Sequence, residues 1–124
     1  MVGVIWVIQL IHYPSFHFIE KDNYIKFQEF HMKGISIIVI PAMIIEILSG
    51  FFLLIYYFNS SFLFGSSVFI LISIWIITFL FFTKLHNSLT SGYKESIVDR
   101  LVFINWGRTI LWSSRLIILI YINL

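Results

Sequence analysis

Long apolar runs over residues 2–18, 31–58, 62–85 and 98–122, divided by short polar breaks, set the pattern of this chain. None shows the strict alternation of a half-buried strand, and all exceed strand length, so each run predicts a helix. A hydrocarbon core about 30 Å thick takes roughly 20 helical residues. The last three runs meet that length; the first is short, and is expected either to be tilted or to begin upstream of Met1. Asn59-Ser60-Ser61 is so short a break that the helices on either side are expected to be antiparallel neighbours. Pro41 invites a kink because it removes an internal hydrogen bond. Gly92 is placed to end the third helix. The expected fold is all-α, an up-down bundle of four transmembrane helices making a single integral membrane domain over residues 1–124.

The last run breaks its own apolar pattern. Asn105, Arg108, Thr109, Trp112 and Arg115 fall at i, i+3, i+4, i+7 and i+10, one stripe of a helix, while Ile110, Leu111, Ile117 and Ile118 cover most of the rest. A polar stripe on an otherwise apolar helix belongs inside a bundle, and ionisable groups at membrane depth mark functional sites by default.

Composition agrees with a membrane setting. Charged residues are 11% and mean hydropathy is +0.97, against roughly 25% charged in soluble domains. The absence of cysteine removes disulfides, thiolate metal sites and thiol nucleophiles. The eight Lys and Arg form no basic run, which argues against nucleic acid. The charged residues cluster instead at the junction of runs one and two (Glu20, Lys21, Asp22, Lys26, Glu29 and Lys33) and at or near that of runs three and four (Lys84, Lys94, Glu95, Asp99, Arg100 and Arg108), on one side of the predicted bundle. By the positive-inside rule that side is cytoplasmic and both termini face out, as in a multi-pass protein of the bacterial inner membrane. Two charges are left over. Glu46 and Arg115 each lie roughly 22 Å from the charged side at 1.5 Å per residue. Opposite charges at one depth are expected to pair, because either alone is costly in hydrocarbon.

Three histidines reach the charged side by different routes: His12 ends run one, His31 opens run two and His86 ends run three. Asn105 and Arg108 stand just inside the same level, with Gln28 one turn before His31; His17 looks like an interfacial residue. Imidazoles from separate helices suit iron, copper, zinc or a haem. Arg108 with Asn105 suits an anionic or carbonyl-bearing ligand such as a quinone, with Trp112 able to line a flat one. Ordinary interfacial histidines and core-packing aromatics are the plain alternatives. Gly34, Gly50 and Gly107 permit close helix approach.

The segments Gly3-Val4-Ile5-Trp6, His12-Tyr13-Pro14-Ser15-Phe16, His31, Pro41-Ala42-Met43-Ile44-Ile45-Glu46, His86-Asn87-Ser88-Leu89 and Asn105-Trp106-Gly107-Arg108-Thr109 through Trp112 to Arg115 resemble a family of small uncharacterised bacterial four-helix membrane proteins. More distantly, Pro41-Ala42 followed by Gly50-Phe51-Phe52-Leu53-Leu54 is similar to HemJ-type protoporphyrinogen oxidases and CopD-like copper proteins. That resemblance implies haem or metal handling in a four-helix bundle. The expectation is therefore a membrane redox protein or enzyme, with His12, His31 and His86 holding haem or metal and Arg108 and Asn105 acting on substrate. A small anion or proton transporter, or a channel subunit, is one alternative. A structural subunit of a membrane complex is another, and either admits a homo-oligomer.

Overall fold

The computed structural model describes residues 1–56 and 62–124, and the expected Asn59-Ser60-Ser61 turn lies outside the described residues. All secondary structure among the described residues is helical, in four rods: α1 (Val2–Phe18), α2 (Tyr24–Tyr56), α3 (Phe62–Leu89) and α4 (Glu95–Ile122).

α1 is not one regular helix. It is α-helical to Val7, widens over Ile8–His12 and tightens into a 3-10 turn over Pro14–Phe18. Pro14 has no N–H to return to the Leu10 carbonyl, and its ring crowds that carbonyl. The turn ahead of it is wound wider, with the Tyr13 amide donating to the Ile8 carbonyl at 2.9 Å, the i→i+5 bond of a π turn. α3 carries a second π turn over Thr78–Phe82. There the Thr78 and Thr83 hydroxyls donate back to the carbonyls of Ile74 and Phe79, a habit that disturbs helix regularity.

Two boundaries differ from the sequence expectation. α2 begins at Tyr24, through a stretch expected to be a polar connection. Tyr24, Gln28 and His31 occupy one stripe at i, i+4 and i+7, and all three are buried, so packing carries the helix through Lys26 and Glu29. α3 continues past His86 because Leu85 and Leu89 are both buried. The chain then reverses at Gly92, whose φ of 122° suits glycine, and its amide donates to the Leu89 carbonyl at 3.2 Å.

α4 packs between α1 and α3, and α2 packs on α3. Neighbouring rods are antiparallel: the start of α2 meets the end of α3 at Gln28 and His86, and Trp6 of α1 bonds Ser113 far along α4. Of the three glycines expected at close approaches, only Gly50 is at one. A Cβ there would sit 3.1 Å from Leu71 Cδ2, whereas Gly34 and Gly107 face open space. Two helical stretches, Lys21–Ile55 and Phe62–Leu89, are long and apolar enough to cross a membrane.

Candidate functional site

The polar stripe of α4 turns into the bundle. Asn105 and Thr109 are fully buried, and Arg108 and Trp112 nearly so. Each stripe residue finds polar company on another helix or one turn away. The Asn105 amide donates to Gln9 Oε1 of α1 at 2.8 Å, and Gln9 in turn donates to the Val102 carbonyl at 3.3 Å. The other end of the Asn105 amide, Oδ1, accepts from Arg108 Nε at 3.1 Å and Nη2 at 2.8 Å. Arg108 Nη1 donates to the Thr78 hydroxyl at 3.4 Å, and the guanidinium carbon lies 3.6 Å from the centre of the Phe82 ring. Thr78 and Phe82 are the two ends of the α3 π turn. The wider turn presents a hydroxyl and an aromatic face to the cation together, as π turns often do at functional sites.

Every hydrogen-bond acceptor recorded for Arg108 is neutral, and among the described residues no carboxylate pairs with it. A buried cation without a counter-charge is costly, of order several kcal/mol. Glu46 is engaged elsewhere. Its Oε1 lies 3.7 Å from Arg115 Nη1 and 3.7 Å from the Met1 amino group, and its Oε2 accepts from Trp112 Nε1 at 2.9 Å. Trp112 therefore anchors Glu46 and borders Arg108 at 5.6 Å, and it does not line the cleft described below.

His12, His31 and His86 lie side by side, with ring centres 4.6 Å apart for His12–His31 and 5.1 Å for His31–His86. Gln28 Nε2 lies 3.2 Å from His86 Nδ1 and 3.5 Å from the His86 carbonyl oxygen, and His86 Nε2 lies 3.2 Å from the Tyr13 oxygen; the imidazole tautomer sets which partner donates in each ring contact. The Tyr13 hydroxyl is also hydrogen-bonded to Arg108, which can only donate to it.

The imidazoles do not fit a shared metal ion as arranged. His12 Nε2 and His31 Nδ1 are hydrogen-bonded at 2.6 Å. Two nitrogens on one tetrahedral ion at about 2.0–2.1 Å would stand roughly 3.3 Å apart. Both His86 nitrogens are occupied, and among the described residues no three His, Cys, Asp or Glu side chains are grouped to hold a metal. Buried His31 Nε2 and Gln28 Oε1 have no partner among the described residues. His17 stands apart, bonded to the Tyr93 hydroxyl at 2.9 Å and 3.2 Å from Asp99 Oδ1. Partial desolvation, then the negative Glu95 and Asp99, push the Tyr93 hydroxyl above its ordinary range.

Beside this cluster lies a cleft of about 250 Å³ between α2 and α3. Met32, Val39 and Met43 of α2 and Trp75 and Phe79 of α3 make its apolar walls; Tyr13, Ser36, Thr78, Thr83, His86 and Arg108 are its polar lining residues. Its volume is just below the about 300–1,000 Å³ typical of ligand pockets. Gln9, Tyr13 and Thr78 were not singled out from the sequence. A lone glutamine in an apolar helix was the available signal for Gln9, and a tyrosine ahead of Pro14 and a lone threonine carry none. No protein-family model, no curated protein and no solved structure matches this chain, and its chemistry is read from these side chains alone.

Proposed function

We propose that this chain is a multi-pass membrane protein whose α2–α3 cleft binds the head of a quinone. The observation that carries the reading is the Arg108 guanidinium, buried among neutral acceptors on the wall of a largely apolar cleft. Such a group favours a ligand oxygen that carries, or acquires, negative charge. A quinone carbonyl oxygen carries partial negative charge and accepts hydrogen bonds, and the Tyr13 hydroxyl on the same wall is a second group that can reach it. The redox character expected from the sequence would then reside in the ligand. Membrane insertion is supported by two long apolar helices and by lysines and arginines gathered at two junctions on one side of the bundle. The same uncompensated guanidinium supports a carboxylate-headed lipid as a second reading, with a transport or binding role.

Tryptophan emission reports on occupancy, because Trp75 lines the cleft. In nanodiscs, a short-tailed benzoquinone is expected to quench it saturably. Arg108→Gln should weaken binding at least tenfold, and Tyr13→Phe severalfold, with helical circular dichroism retained. Quenching that never saturates and ignores Arg108→Gln would sink the reading. Saturable competition by a fatty acid, with no quinone binding, would move it to the carboxylate-headed ligand.

A further inference from the structure

The α2–α3 seam does not end with the cleft. A second groove of about 460 Å³ follows it, lined by Ile47 and Phe51 of α2 and by Ile72, Ile76 and Leu80 of α3, with no polar lining. Trp75 and Phe79 wall both spaces, so the two are neighbours along one seam. Thr78, which holds Arg108, stands about 9 Å along α3 from Ile72 at the α-helical rise of 1.5 Å per residue. Gly50 marks a close α2–α3 approach in this region, since a Cβ there would sit 3.1 Å from Leu71 Cδ2.

Resting on the quinone reading, we infer that this groove is the seat of the ligand's tail: the ligand is a long-chain quinone whose head meets Arg108 and whose chain leaves along Ile76, Leu80 and Phe51. A second headed ligand is excluded by the lining, which offers nothing to bond a polar group. Continuity with the head cleft makes the tail of the same molecule the natural occupant, in preference to a separate bilayer lipid. Lipid chains are as apolar as leucine, so moving a tail from bilayer to groove gains little free energy. The groove therefore decides where the tail lies more than how tightly the ligand binds.

The test is accordingly one of position. A benzoquinone carrying a decyl tail that ends in a diazirine is photolysed with the protein in nanodiscs, and labelled peptides are mapped by mass spectrometry. Adducts are expected within Ile47–Phe51 and Ile72–Leu80, and Arg108→Gln should scatter them. Ile76→Phe with Leu80→Phe should displace the label severalfold from both segments while head binding, read by tryptophan quenching, stays within twofold. Labels spread along the outer face of α2 near Ile37 and Ile45, with saturable head binding intact, would overturn the tail assignment and leave the head site standing. Loss of saturable head binding in the parent protein would instead remove the reading on which the assignment rests.

Discussion

Glu46 and Arg115 differ in how much each depends on the other. Glu46 has three partners: Arg115, the Met1 amino group and the Trp112 indole. Among the described residues, Glu46 is the one carboxylate in reach of Arg115 and the buried Arg115 Nε has no partner. Removing one member of such a pair costs about 3–5 kcal/mol when the survivor is stranded. Glu46→Leu is therefore expected near that range, because it strands Arg115. Arg115→Leu leaves Glu46 two donors, and should cost about 1–3 kcal/mol, the scale of a lost hydrogen bond to a charged group. Replacing both should cost less than Glu46→Leu alone. Thermal unfolding of the three variants in detergent checks the order, and an Arg115→Leu loss exceeding that of Glu46→Leu would contradict it.

The irregular turns decide what the helices present. α1 and α3 each break the α-helical register by a π turn, and these turns carry His12, Thr78 and Phe82. Gly50 has a different job, letting α2 and α3 touch beside the open cleft. Its Cβ site is 3.1 Å from Leu71 Cδ2. Gly50→Leu should overpack that contact and destabilise by about 1–3 kcal/mol. At Gly34, with nothing within 4 Å, alanine should instead stabilise by up to about 1 kcal/mol through helix propensity. Equal effects at the two sites, measured by the same thermal unfolding, would remove the close α2–α3 approach as the reason for Gly50.

Across the whole molecule, α2 is the rod with the most unclaimed apolar surface. Ile37, Ile45, Phe52 and Ile55 are each at least two-thirds exposed, as suits side chains that face lipid or a second protein. The charges at the α1–α2 and α3–α4 junctions predict an orientation with Ser91 cytoplasmic and Asn123 outside. With cysteines placed singly, an impermeant maleimide should label Asn123→Cys on intact cells and Ser91→Cys only after permeabilisation. The reverse pattern would end the orientation argument.

Periodicity alone determined much of this protein. Run length made the four helices legible, and the stripe from Asn105 to Arg115 could only face inward, since buried polar groups need partners that hydrocarbon does not offer. Equal depth was enough to match Glu46 with Arg115, and topology was enough to bring His12, His31 and His86 to one level. What those histidines do was not legible. His12 Nε2, His31 Nδ1 and both His86 nitrogens are taken up by one another, by Gln28 and by Tyr13, while His31 Nε2 has no partner among the described residues, and such choices depend on ångström-scale placement. The start of α2 at Tyr24 was set by burial of one stripe against α1 and α3, which overrode the polar composition of the segment. The π turns, the cleft and the absence of a carboxylate beside Arg108 among the described residues likewise came from tertiary packing, because each depends on which helix lies next to which.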